Sequence, residues 1–441
     1  MMEEAGRVLA RLEEAGYTAF FVGGFVRDNV SGREIHDIDL ASSASPEKAL
    51  ELFPNAIPTG LKHGTITVKQ GGFLFELTTF RKESEYEDFR RPSGVEFVSE
   101  IEEDLRRRDF TINAMAMDRH GKLFDPFDGA GDLQRGILRA VGEPDQRFRE
   151  DALRMMRCIR FAANYRLQVE KETWLALLAN ARLLKHIAME RVRSELERMM
   201  EGPFPEDGLK LLADSRLLRH TKERLAFELA DWTSNQLPEA VLRLSRTTPE
   251  IRWLVLAKAM NLGQLDAEPL WRVLTFPAKE GKRVAAFLGF DQFLHRELAE
   301  TVDSQGRDHA DPDWLTILAE AVPVPFKRAV LLFGESAAKE WILTADFLTQ
   351  TGSSWWPEEA LQTAVEKLIR EGEEFLRQMP VKRMDELALG GSELQAALNR
   401  SPGPWMGKLM RKLVEEVACS RLPNGREELL NWAMERQGEF T

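Results

Sequence analysis

The spacing of apolar positions changes about a third of the way along the chain. In the first 140 residues, short runs of β-branched and aromatic residues alternate with polar ones, the period-two mark of half-buried strands. They predict strands over Ala19 to Val22, Ile38 to Ala41, Thr65 to Val68, Phe73 to Thr79 and Val95 to Phe97. Helices are predicted over Glu3 to Glu14 and Pro46 to Leu52, the second opened by Ser45-Pro46. Lys69-Gln70-Gly71-Gly72 reads as a hairpin turn, so the sheet is partly antiparallel. From about residue 149 the strand signals stop. Leu153, Met156, Ile159 and Phe161 open long segments with helical spacing. Gly202-Pro203-Phe204-Pro205, Gly352-Ser353-Ser354 and Ser401-Pro402-Gly403-Pro404 punctuate them, with no fixed repeat period. The pattern predicts an α+β chain: a head with a small mixed sheet, then a series of helical modules.

A length of 441 residues exceeds one compact core and predicts two to four domains. An apolar fraction of 43% with 30% charged residues is that of an ordinary soluble globular protein. No run approaches eighteen uncharged apolar residues, and M-M-E-E-A-G-R is not a signal peptide, so a cytoplasmic protein is expected. Cys158 and Cys419 lack CxxC spacing, which argues for a reducing compartment without a disulfide framework or zinc site. The net charge of −12 disfavours wholesale nucleic-acid binding. Residues 141–200 nevertheless hold twelve Lys/Arg against nine Asp/Glu, which suits a partner engaged through a few phosphates. Trp355, Trp356, Trp405 and Trp432 are read as helix packing rather than base stacking.

The candidate chemistry begins at F-V-G-G-F-V-R-D-N-V-S-G-R-E-I-H-D-I-D-L, Phe21 to Leu40. Glycines after a strand let backbone amides approach a polyphosphate, with Gly24 and Arg27 placed to hold it. Asp37 and Asp39 alternate with Ile38 and Leu40, so both carboxylates leave one face and can hold Mg²⁺ against the same phosphates. Glu76, inside the apolar run F-L-F-E-L-T-T-F, is costly in a buried strand unless paired or bound to metal, and offers a third carboxylate, the alternative being an edge-strand glutamate that faces water. The segment reads as nucleotidyl transfer.

Three further clusters extend the site. In R-R-R-D-F-T-I-N, Arg107, Arg108 and Asp109 could hold phosphate and ribose hydroxyls while Asn113 fixes the local backbone. D-P-F-D-G, Asp125 to Gly129, is a turn by composition, and a structural role is at least as well supported as substrate contact. In R-F-R-E-D-A-L-R-M-M-R, read as one helix, Glu150, Asp151 and Arg154 share a face. A carboxylate beside a guanidinium offers an acceptor next to a donor fork. Cytosine and adenine present an exocyclic amine beside a ring acceptor and match it. Guanine and uracil reverse that order and leave buried groups unpaired.

With these motifs the chain resembles the eubacterial and eukaryotic class of tRNA nucleotidyltransferases, the CCA-adding enzymes, within the polymerase-beta-like superfamily. The resemblance rests on Gly-Gly-x-x-Arg-Asp with Asp-x-Asp, R-R-D-F-T-I-N-A, D-P-F-D-G, R-F-R-E-D-A-L-R-M-M-R and M-E-R-V-R-S-E, in family order over about 200 residues. E-L-A-L-G-G-S-E-L, P-G-P-W and L-P-N resemble the tail of bacterial members. It implies a head (1–145) with a five-stranded sheet, then helical neck (146–205), body (206–325) and tail (326–441) that hold the acceptor arm of tRNA. It makes Asp37 and Asp39 the metal carboxylates, with Glu76 as third acid, and Asp151 and Arg154 the amino-acid template, oriented by Glu150. Arg108 and Asp109 would meet the nucleotide, with Arg157 and Arg160 joining that set, and Glu190 with Arg191 would buttress the template. Lys82 to Pro92 fits the family's mobile loop, linked to the switch from C to A addition. The implied activity is template-independent addition of C, C and A from CTP and ATP with Mg²⁺. Partial CC- or A-adding enzymes and poly(A) polymerases share the head and neck motifs, and a non-catalytic RNA-binding protein with a relic head is the remote alternative.

Overall fold

In the computed structural model the head is built around a sheet of seven strands. The structure describes residues 1–440 apart from 84–85, 88–90, 93, 226–231, 305–319, 354–355, 357–358 and 402. The first helix, α1 (Met2–Glu14), buries Ala5, Val8, Leu9 and Leu12, the stripe expected of an amphipathic surface helix. It leads into β1 (Ala19–Val22), α2 (Gly24–Val30) and β2 (Asp39–Ser42). Next come α3 (Pro46–Leu52), β3 (Ile57–Gly60), β4 (Thr65–Gln70) and β5 (Phe73–Thr79). Pro46 occupies the first turn of α3, where its missing N–H costs nothing, and Ser45 Oγ accepts from Lys48 N.

The strand order is Leu123–Phe124, Ala116–Met117, β1, β2, β5, β4, β3. The main sheet thus has seven strands rather than five: β3 and the two-residue strands of the A-M-A-M run and its neighbour join it, while the predicted strand Val95–Phe97 pairs with Arg81–Glu83 outside it. β2 and β5 run parallel, while β1–β2, β5–β4 and β4–β3 are antiparallel. The predicted hairpin joins β4 to β5, and Gly71 and Gly72 both take the positive φ that such a turn demands. One face of the sheet, with Phe21, Leu40, Ile66, Phe75 and Leu77, closes on α1 and α3. On the other face Val22, Ala41 and Ala116 pack under Ile101 and Leu105 of α4 (Ile101–Arg106).

After α4 come α5 (Gly129–Arg135), α6 (Pro144–Glu150), α7 (Leu153–Tyr165), α8 (Lys171–Asn180) and α9 (Met189–Glu201). Residues 147–157 are two helices rather than one. Asp151 takes an extended backbone (φ −137°, ψ 105°), and its carboxylate accepts Leu153 N at 3.0 Å, a local bond that competes with the helical ladder. Strand structure does not end wholly at residue 149, since Gln168–Val169 pairs in parallel with Ile137–Leu138.

The described residues form two units, 1–236 and 237–441. The second is helical. Its longest helix, Ala278–Ser304, buries Phe287, Phe290, Leu294 and Leu298 and packs on helices Gln264–Val273 and Pro323–Phe333. Asp291, buried in that helix, pairs with Lys258 and accepts Trp341 Nε1 at 3.0 Å. Trp356 is buried against Trp341, and Trp405 is buried with its Nε1 on Ser401 O, so both are packing residues. Trp432 lies under Arg436, and Trp355 lies outside the described residues. Cys158 and Cys419 are free thiols, and burial pushes the Cys158 thiol up. Among the described residues no helix is long and apolar enough to cross a membrane.

One glycine is fixed by packing rather than by dihedral freedom. A Cβ on Gly129 would lie 2.2 Å from the Thr111 carbonyl oxygen, whereas one on Gly131 would meet only the exposed Asp128 side chain. Gly129→Ala is therefore expected to cost about 1–3 kcal/mol, the usual range for overpacking, and Gly131→Ala less. Thermal melting of the two variants checks this, and equal melting temperatures would refute the close approach.

Candidate active site

The carboxylates gather where β2 begins. Asp37 precedes the strand and Asp39 opens it, both exposed around the buried Ile38, so the expected alternation holds although the strand starts one residue late. In register, Asp39 stands opposite Val22 on one side and Glu76 on the other. Glu76 lies on a central strand but faces the open side of the sheet and is exposed, not buried. The Asp39 carboxyl is pushed above its usual range, first by lost hydration and then by the Glu76 charge. Asp37 adds to the push, while Arg108 and Arg27 oppose it. Among the described residues no three such acids converge into a ready-made metal cage. Mg²⁺ commonly takes one or two carboxylates and completes its shell with substrate phosphates and water. A crowded pair of hard oxygen donors fits a cation that shares its ligands with a triphosphate.

The glycine turn lies beside these acids. Gly23 has φ 69°, and a Cβ there would stand 3.2 Å from Asp39 Oδ2 and 3.4 Å from Arg108 Nη1. A side chain would therefore fill the space between the acid and the base. A Cβ on Gly24 would reach Arg27 Nη2 at 3.4 Å. Arg27 is buried and held on several sides. Its Nε and Nη2 donate to Asp28 at 3.0 and 2.9 Å, and Nη1 donates to Asn113 Oδ1 at 2.7 Å. Its guanidinium lies over the rings of Tyr165 (4.5 Å) and Phe161 (5.2 Å). The Tyr165 hydroxyl donates to Asp28 Oδ1 at 2.7 Å, and burial, above all, raises that phenol to about 12. Arg108 donates to Asp104 Oδ2 and to the Asn113 carbonyl, while its buried Nε has no partner among the described residues.

Behind this layer lies Asp109. Its carboxylate accepts Phe110 N (2.9 Å), Asn113 Nδ2 (3.0 Å) and Arg157 Nε (2.7 Å). Burial alone would raise its pKa, but Arg157, Asn113 and Arg154 outweigh burial and hold it at about 2. Arg157 lies 3.9 Å from Glu195, which also accepts Arg160 Nε. Arg27, Asn113, Asp109, Arg157, Glu195 and Arg160 thus form one connected polar chain from the glycine turn to α9. Asp109 and Arg160, expected to meet the nucleotide, are buried and paired within that chain.

The expected template residues flank the helix break. Arg154 is buried, with Nη1 on Glu150 Oε2 at 2.7 Å and Nη2 on the Arg107 carbonyl at 2.9 Å. Asp151 is held by Arg191, at 2.9 Å from Nη2. Of the two residues expected to buttress the template, Arg191 makes this bond and Glu190 is exposed. Residues missed in the sequence do comparable work. Asp104, almost fully buried, binds Arg107 and Arg108 and accepts Arg81 N. Glu195 shares the buried stripe of α9 with Val192, Leu196 and Met199, and an acid on such a stripe was a readable signal. Asp125 accepts Gly129 N and Ala130 N at 2.7 and 2.9 Å, so D-P-F-D-G caps α5. Asp132 then accepts Thr111 Oγ1 at 2.8 Å, tying α5 to the R-R-R-D-F-T-I-N segment. The Lys82 to Pro92 loop falls partly outside the described residues.

Comparison with known proteins gives a consistent set of likenesses. Residues 19–139 match the poly A polymerase head domain, 166–228 an RNA and SrmB-binding site of polymerase A, and 353–433 a second domain of tRNA nucleotidyltransferases. The CCA-adding enzyme of Bacillus cytotoxicus is 35% identical over 439 residues, covering 98% of each chain. That of Geobacillus thermodenitrificans is 35% identical over 434 residues, covering 98% of this chain and 97% of its own. The crystal structure of the Bacillus stearothermophilus CCA-adding enzyme in complex with CTP superposes with a TM-score of 0.75 at 31% identity, over 99% of this chain and 98% of that one.

The depressed pKa of Asp109 sets a pH dependence. An acid whose folded pKa lies below its ordinary 3.8 stabilises the protein fully above about pH 4 and loses that contribution as pH falls toward 2. The lost amount is about 2 kcal/mol. Asp109→Asn should be less stable at pH 7, and its deficit should shrink by about that amount between pH 4 and 2. Denaturant melts across this range test it, and a pH-independent deficit would rule out the ion pair as the cause.

Proposed function

The chain belongs to the CCA-adding enzymes, and on that premise we propose that it adds C, C and A to the 3′ end of tRNA from CTP and ATP without a nucleic-acid template. The observation that carries this reading is the acid corner of Asp37, Asp39 and Glu76 beside the glycine turn, from which the Arg27–Asn113–Asp109–Arg157 chain runs to the helix bearing Arg154. Phosphate chemistry and base choice are thereby anchored to one polar scaffold.

The 3′-hydroxyl of the RNA attacks the α-phosphorus, an O–P bond forms, and the bond to the β-phosphate oxygen breaks with release of pyrophosphate. Asp37 and Asp39 would hold Mg²⁺, which when bound neutralises phosphate charge and makes the hydroxyl more acidic. Glu76 would receive the hydroxyl proton, a role supported by its accessibility and its register with Asp39. The turn at Gly23-Gly24 leaves room for phosphate oxygens, and Arg108, with its unpartnered Nε, supplies a cation beside them. Arg27 is too heavily engaged to swing freely, so its part is to fix the turn and lend positive charge.

Base choice falls to Asp151 and Arg154. Within the chain Arg154 bonds Glu150 and a carbonyl, and Asp151 bonds Arg191. An incoming cytosine or adenine replaces these bonds in kind, amine to carboxylate and ring nitrogen to guanidinium. Uracil or guanine cannot, and leaves donors and acceptors facing their own kind. Within this reading the head (1–145) transfers, the neck (146–205) selects, and the body (206–325) and tail (326–441) hold the tRNA. Lys408, Arg411 and Lys412 share a cavity of about 390 Å³ with Arg328 and Arg383, which supports their part in holding RNA phosphates.

Product length decides the reading. On tRNA trimmed of its last three nucleotides, with CTP, ATP and Mg²⁺, three residues should be added and then no more. A stop at two, no addition, or a long ladder would each overturn it, the last in favour of a poly(A) polymerase. Asp37→Ala should lower the rate at least about 10²-fold with the melting temperature kept. Asp151→Ala should erode the preference for CTP over UTP by about tenfold or more, measured as the ratio of kcat/KM values. An unchanged ratio would remove Asp151 from base selection.

A further inference from the structure

Among the described residues, the face of the sheet that carries Asp39 and Glu76 is covered on only one half. Toward β1, Val22, Ala41 and Ala116 lie buried under α4. Toward β4 and β3 the described residues leave the same face open. Register places Thr67 opposite Glu76, Lys69 opposite Leu74 and Ile57 opposite Thr67. Leu74 is 64% exposed, and Ile57 and Lys69 are exposed too, whereas Val68 and Phe75, on the reverse face, are buried. A lone exposed leucine would need no explanation. This one stands two residues, about 7 Å, from Glu76 on the same face.

The geometry of the reaction gives the open half a purpose. Gly23 and Arg108 lie on the β1 side of Asp39, so the triphosphate belongs there. In-line displacement puts the entering oxygen and the departing pyrophosphate on opposite sides of the α-phosphorus. The acceptor must then approach from the opposite side of Asp39, across Glu76 and the open strands β5 and β4. Resting on the function proposed above, we infer that Thr67, Lys69, Leu74 and Ile57 form the platform on which the 3′-terminal nucleotides of the acceptor RNA lie. An ammonium meets a phosphate, hydroxyls meet ribose or phosphate oxygens, and aliphatic side chains lie under sugar and base. Thr67 Oγ1 is already steadied by Thr59 Oγ1 at 3.0 Å. The set contains no planar amide or carboxylate fork that would read a base. A platform that must accept the tRNA's own last base before the first addition and a cytosine before the next two is served by that lack of preference.

The test uses the full-length protein with a tRNA ending in CC, ATP and Mg²⁺. Lys69→Glu and Leu74→Ala lie on the surface, outside the residues given catalytic or nucleotide-binding roles. Each should raise KM for the tRNA by about fivefold to tenfold while KM for ATP and the melting temperature stay at wild-type values. Lys69→Glu should also flatten the dependence of log kcat/KM on log salt concentration by about one unit, and Lys69→Arg should restore it. The same defects should persist on a minihelix that keeps only the acceptor and T stems. Unchanged tRNA KM in both variants, an equal rise in ATP KM, or a defect lost on the minihelix would overturn the platform. Failure of the underlying function is separate, because the wild-type protein would then incorporate nothing.

Discussion

A single buried carboxylate ties together the parts of this site. Asp109 lies between Asn113, which reaches forward to Arg27 at the glycine turn, and Arg157, which reaches back to Glu195 on α9. Three donors converge on it, and the loss of hydration, the largest single effect, is outweighed only by Arg157, Asn113 and Arg154 together. A buried ion pair of this kind is weak evidence for stability, because removing water from both partners offsets much of their attraction. Its clearer effect is geometric. The turn that faces the phosphates and the helix that bears Arg154 cannot change position independently without leaving a charge unpaired.

Around that anchor, aromatic and acidic side chains set the remaining angles. Tyr165 and Phe161 lie against the face of Arg27 while Asp28 takes its edge, so the guanidinium is fixed in both orientation and depth. Asp104 does the same for Arg107 and Arg108, and Asp132 fastens α5 to the loop between them. Several arginines of the motifs therefore serve as struts, and the cationic groups turned toward substrate are few.

Much of this was legible in the sequence, and the exceptions have physical causes. Period-two alternation gave β1 and β5 to the residue and put Asp37 and Asp39 on one side, because strand periodicity is local. The two-residue strands at the sheet edge were missed, since A-M-A-M is too short to show a period and pairs only through tertiary contact. Residues 147–157 looked like one helix because their apolar spacing continues across Asp151. The break depends on one side-chain hydrogen bond to Leu153 N, which spacing cannot reveal. Asp104 and Glu195 were also overlooked. Asp104 sits in an acidic helix start that reads as solvated, and only the fold buries it, whereas Glu195 lies on the apolar stripe of α9, where its burial was readable.

The crowding at Asp39 has a consequence for the protein when it is idle. Lost hydration and the nearby charges of Glu76 and Asp37 make an ionised Asp39 costly in the folded chain, and Arg108 and Arg27 offset that cost only in part. A ligand that relieves that cost binds the folded chain and not the unfolded one, so it adds to stability by mass action. Thermal resistance then becomes a record of occupancy. A cation that binds at this corner adds stability in step with the logarithm of its concentration once it exceeds the dissociation constant.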